Sequence, residues 1–194
     1  MIHSLLNKLL LILSIFTEST DNKNKMAEIV NKIQQSGLIQ LDLASFKPKE
    51  TIETIDLKEN LWQGLALKEK DFREFVKEND WNQYEGKMIG VFCSADAIIP
   101  TWAFMLVISK LQEHGVTAFV GDKSEVEKQL ILQNISKLDL EEYTDGRLII
   151  KGCSDVAHPA FAMSELVKHL QPVSKSIMYG EPCSTVPVYK RKKN

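Results

Sequence analysis

Between Lys87 and Gly180 the chain alternates short, continuously apolar runs with amphipathic stretches. The runs are 87–93 (KMIGVFC), 116–121 (VTAFVG), 147–152 (RLIIKG) and 176–179 (SIMY). Pro100 opens a helix that reaches His114 and stops at Gly115. Ser124 caps a second helix to about Ile135, with Glu127 placed for a capping box. Pro159 opens a third, to Leu170, and Pro172 lies just past its end. A strand that is apolar at every position leaves no face for water. It belongs in a parallel sheet covered by helices on both sides. The expected fold is therefore α/β, with a mainly parallel, doubly wound sheet in the order β-α-β-α-β-α-β over about 87–180. Its crossovers are expected to be right-handed.

Upstream, 27–35 places Ile29, Val30 and Ile33 on one helical face, and Gly37 suits the C-terminal cap. The segments 38–43 (LIQLDL) and 51–57 (TIETIDL) alternate as half-buried strands do. A helix over about 70–79 turns Phe72, Phe75 and Val76 inward. This N-terminal α/β addition is expected to supply antiparallel strands at one edge of the sheet. Ahead of it, 9–16 (LLLILSIF) imitates the apolar part of a secretory signal. It is far short of the roughly 20 residues that span a bilayer. No small-x-small cleavage site follows at Thr17, Glu18, Ser19 and Thr20. Three readings of 1–25 stay open: an extension from a misassigned start ahead of Met26, a disordered or helical appendage, and a signal peptide. The working chain is then 26–194, one α/β domain with a short basic tail at 190–193.

With 24 basic and 26 acidic residues the net charge is −2, so no basic field points to a nucleic-acid partner. Three cysteines are too few and odd in number for a disulfide scaffold, and they suit a reducing compartment. Their positions say more. Cys93 ends the first apolar run, Cys153 follows the third and Cys183 lies just beyond the fourth. Sites in open parallel sheets form beyond the carboxyl ends of the strands, so all three are expected at one rim. Thiolates are soft ligands suited to zinc or an iron–sulfur cluster. Asp96, Glu181, His158 or water would complete the set. No C-x-x-C pair supports it.

Two alternatives stand beside the metal. Cys93 precedes a helix, whose N-terminal dipole lowers a thiol pKa, so it is a candidate nucleophile of a thiol enzyme. Alternatively, the cysteines are buried and inert in a non-enzymatic interaction domain. Asp96 also reads as the cap of the helix at Pro100, and Gly121-Asp122 as a turn and helix start. Trp102 shares a helical face with Met105 and Leu106 and reads as core. His114 and His169 sit late in their helices and read as structural. Walker, G-x-S-x-G and G-x-G-x-x-G motifs are absent.

The segments 93–103 (CSADAIIPTWA), 149–154 (IIKGCS) and 170–190 (LQPVSKSIMYGEPCSTVPVYK) resemble domain-of-unknown-function family 2480, as does 67–81 (LKEKDFREFVKENDW). The resemblance covers about Met26 to Lys193. It implies a bacterial, cytoplasmic protein that begins near Met26, with no membrane anchor. It also implies a loose association with iron–sulfur cluster assembly, whose proteins become the expected partners. In that family the cysteines matching Cys93, Cys153 and Cys183 fall in the most recognisable motifs, whereas His158 falls in a stretch the family writes differently.

Overall fold

A computed structural model describes residues 37–152 and 156–192. The run 9–16, the helix expected at 27–35 and Cys153 lie outside the described residues. The described elements are, in chain order, β1 (Leu38–Asp42), β2 (Ile52–Asp56), β3 (Leu61–Trp62), β4 (Ala66–Leu67), α1 (Glu69–Glu78), β5 (Met88–Phe92), α2 (Thr101–Glu113), β6 (Thr117–Val120), α3 (Lys123–Ser136), β7 (Arg147–Lys151), α4 (Pro159–Leu170), β8 (Ser176–Glu181) and β9 (Ser184–Lys190). None of these helices is long and apolar enough to cross a membrane.

Three short 3₁₀ turns share one local device. Asp42, Asp56 and Asp80 each accept a hydrogen bond from the amide two residues on, at 2.9, 3.0 and 3.1 Å. A short acceptor side chain that satisfies a free amide stops a strand and starts a turn. The apolar residue that follows each Asp (Leu43, Leu57 and Trp81) is then buried.

The protein is mixed α/β, but the expected single sheet over 87–180 is not seen among the described residues. Its four strands are divided: β2-β5-β6 make one three-stranded sheet, and β1-β7-β8-β9 make another. A continuously apolar strand reports burial on both faces; it does not report which strand lies alongside. Of the N-terminal strands expected to be antiparallel, β2 is not. β2 runs parallel to β5, with Ile52 opposite Met88 and Asp56 opposite Phe92. β9 on β8 and the small β3–β4 hairpin are antiparallel.

The chain divides into two compact units. Among the described residues, the first comprises 37–41, 140–151 and 173–192. Its buried residues include Leu148, Ile149 and Ile150 of β7 and Ile177 of β8. The second comprises Asp42–Asp139 and Gly152–Pro172. There Ile89 and Val91 of β5 pack into a cluster with Phe72 and Val76 of α1, and with Ala103, Val107 and Leu111 of α2. That last trio, spaced by four, is the inward stripe of α2. Met105, expected inward beside Trp102, is 67% exposed. Trp102 lies at the margin, edge-on to Phe72 with ring centroids 5.8 Å apart.

Gly90 points to the opposite face of β5, toward α3. A Cβ there would lie 2.6 Å from the Gly121 carbonyl oxygen and 2.9 Å from a methyl of Val126. Backbone cannot yield as a flexible side chain can. Gly90→Ala is therefore expected to destabilise the fold by about 1–3 kcal/mol, the ordinary cost of overpacking, measured by urea unfolding. An unchanged midpoint would show that α3 does not press on β5.

Candidate functional site

The carboxyl end of the parallel sheet in the second unit carries Asp56, Cys93-Ser94 and Gly121-Asp122. The side chain of Asp56 takes two hydrogen bonds from Ser94, from its amide at 3.0 Å and its hydroxyl at 2.6 Å. Burial works against the charged form of Asp56. These bonds, with the Lys58 amide and ammonium, outweigh it and hold the carboxyl below its ordinary value. Asp122 caps α3, accepting from the Glu125 amide at 3.0 Å.

Cys93, half-buried, packs against the apolar cluster and donates its thiol hydrogen to the Ala95 carbonyl, with sulfur and oxygen 3.6 Å apart. Asp96 is exposed in the following loop. It does not cap α2, whose cap residue is Pro100 with no side-chain hydrogen bond. Asp96 lies four residues too early for that role.

In the first unit, Glu181 ends β8 and Cys183 is exposed in the turn to β9. The Glu181 carboxylate pairs with the Lys151 ammonium at 3.0 Å. Thus Cys93 and Cys183 follow strands of different sheets. Cys153 lies outside the described residues. Among the described residues no group of three or more His, Cys, Asp or Glu is placed to hold a metal ion.

The second unit instead presents a cleft of about 610 Å³. One wall is a single stripe of α3, Lys123, Glu127 and Ile131, one turn apart. The facing segment from Lys47 to Ile52 adds Lys47 and Glu50, and Val156-Ala157 closes the end before α4. Two cations and two carboxylates thus surround an apolar floor of Pro48, Ile52, Ile131 and Val156. Beside it, His158 Nε2 lies 3.3 Å from Glu127 Oε2 and 3.3 Å from Ser124 Oγ. His158 and Glu127 are both about three-quarters buried, with side-chain exposures of 22% and 24%.

This trio is not a proton relay. A relay enters the imidazole at one nitrogen and leaves at the other, whereas both partners here meet Nε2. With a carboxylate acceptor, Nε2 carries the hydrogen. His158 therefore orients Glu127 and leaves Ser124 unactivated. The pair Ser124 and Glu127, expected to form a capping box, is displaced from that role by Asp122, which caps two residues earlier. The cleft was hidden in the sequence because its far wall is an irregular segment around Pro48. The stripe 123, 127, 131 was its readable half.

Two measurements follow. A carboxyl whose native pKa is lowered adds stability above its unfolded value, and this is lost as pH falls through the native one. Ser94→Ala is therefore expected to lose less stability than the wild type between neutral pH and about pH 3, by denaturant titration at each pH. Parallel acid limbs would deny the Asp56–Ser94 bond its role. For the thiols, mass-spectrometric alkylation is expected to modify exposed Cys183 before half-buried Cys93, with chelator changing neither rate. Fast alkylation of Cys93 would favour a nucleophile. Protection released by chelator would favour a shared metal.

The sequence resemblance is now shown directly. The profile of a family described as "Protein of unknown function (DUF2480)" matches residues 27–191. No curated protein and no solved structure matches the chain. The match spans well over half of the 194 residues, and the chain belongs to the DUF2480 family.

Proposed function

We propose that the protein is a small-molecule binding module whose site is the cleft on α3, and that its ligand is a zwitterion the size of an amino acid. The carrying observation is the cleft's composition. Lys47 and Lys123 offer cations, Glu50 and Glu127 offer carboxylates, and the floor between them is apolar. Its volume falls within the range of ordinary ligand sites, about 300–1,000 Å³. A ligand of one charge would be complementary to only half of this charged lining. A ligand carrying a carboxylate and an ammonium group satisfies both, while its side chain covers the floor. His158 supports this by fixing the rotamer of Glu127 before the ligand arrives, which lowers the ordering cost of binding. Binding rather than catalysis is favoured by the convergence of Ser124 and Glu127 on one imidazole nitrogen.

The test is a calorimetric panel of α-amino acids beside the corresponding amines and carboxylic acids. At least one zwitterion is expected to bind while its singly charged counterparts bind at least about tenfold more weakly, the cost of one unmatched charged hydrogen bond. Glu127→Gln is expected to weaken the zwitterion by a similar factor and His158→Ala by less. Equal affinity for an acid or amine alone, or indifference to Glu127→Gln, would overturn the assignment.

A further inference from the structure

The first unit holds a second cleft of different character, about 490 Å³ in volume. Strand register builds it. Arg147 on β7 lies opposite Ser176 on β8, and Ser176 lies opposite Lys190 on β9, so the three form a row across the sheet. One step further along that face, Met178 lies opposite Pro187. A register shift between Ile177 and Met178 leaves Val188 as the extra residue of a bulge, and Tyr189 joins the lining. Bulges re-aim side chains in this way. Lys175 and Arg191 complete the basic border.

These cations are not equivalent. Arg191 is committed: its guanidinium bonds the Asp145 carboxylate at 2.5 Å and the Val173 carbonyl at 2.6 Å. That anchor fixes the end of β9 and the edge of the cleft. The exposed side chains of Arg147, Lys175 and Lys190 form no ion pair among the described residues. Three cations with no ion pair among the described residues therefore border an apolar floor of Met178, Pro187 and Tyr189, on a chain whose net charge is −2. A charge cluster kept solely for solubility has no need of such a floor.

We infer that this cleft binds a phosphate-bearing small molecule with a flat, apolar body, the chemistry of a mononucleotide. The phosphate meets Arg147, Lys190 and Lys175, and the planar group lies on Met178 and Tyr189. Arginine and lysine suit phosphate by charge-assisted hydrogen bonds, and aromatic and thioether groups suit a planar ring. The acidic balance of the whole chain argues for a small ligand over a long nucleic acid, which would require an extended basic surface.

Isothermal titration of the full chain at low salt tests this with AMP, adenosine, inorganic phosphate and a single-stranded oligonucleotide. AMP is expected to bind at least about tenfold more tightly than adenosine or phosphate alone, because both halves of the cleft contribute. Arg147→Glu and Lys190→Glu are each expected to weaken AMP about tenfold or more. Lys192→Glu, exposed but outside the cleft, is expected to leave it unchanged, as is Glu127→Gln in the other unit. Circular dichroism confirms that each variant is folded. Phosphate binding as tightly as AMP would reduce the site to a bare charge patch and overturn the proposal. An equal loss in Lys192→Glu would do the same. Oligonucleotide binding far tighter than AMP would replace it with a nucleic-acid surface. None of these outcomes depends on the zwitterion cleft.

Discussion

The second unit depends on one close approach, the seating of α3 against β5 where Gly90 has no side chain. The start of α3 comes near enough that the Gly121 carbonyl and Val126 occupy the space a Cβ would need. This contact fixes the helix at its N-terminal end, and Asp122 completes it by capping the free amide of Glu125. With that end fixed, the buried residues Val126 and Leu130 face inward. The stripe Lys123, Glu127 and Ile131 then lines the cleft. The same packing that makes the core therefore aims the site, and rigid elements place charged groups more accurately than loops do.

On the other face of β5 the requirements are simpler. Ile89 and Val91 are fully buried against α1 and α2, and the partly buried rings of Phe75 and Trp102 pack at the cluster edge against Phe72 and Trp81. Trp81 keeps its indole hydrogen satisfied by the Val76 carbonyl at 2.9 Å. A buried ring with its one donor paired adds apolar area at little polar cost. Cys93 belongs to this side. Its sulfur packs on the cluster and its hydrogen is used by the Ala95 carbonyl, which accounts for a cysteine here by packing and one weak bond.

Charge is distributed unevenly along a nearly neutral chain. In the second unit, opposite charges face one another across an apolar floor. In the first, the cations at 147, 175 and 190 stand without partners among the described residues. Neither arrangement is visible in the net charge of −2, because the sum cancels what the fold separates. The end of β9 is instructive. The residues read as a loose basic tail include Lys190, which pairs in register with Ser176, and Arg191, which is anchored on Asp145.

Local structure was legible because its signals are local. Apolar runs marked β5 to β8, the prolines at 100 and 159 marked helix starts, and Gly115 marked a helix end, each within one or two residues of the observed bounds. Family membership was legible for a related reason, since it rests on the wording of short segments. Strand partnership was not legible. Burial on both faces makes β5, β6, β7 and β8 read alike, and only tertiary packing sorts them into two sheets. The cysteine rim rested on the same premise of one sheet. Ser124 and Glu127 show the same limit on a smaller scale: their spacing satisfies a capping box, but Asp122 reaches the free amides first and releases both toward His158. The sequence by itself determined most of the helices and strands, though not β9 or the β3–β4 hairpin, and the family they belong to. The tertiary structure alone decided which charges face each other, because long-range side-chain contact follows from packing and register, not from spacing along the chain.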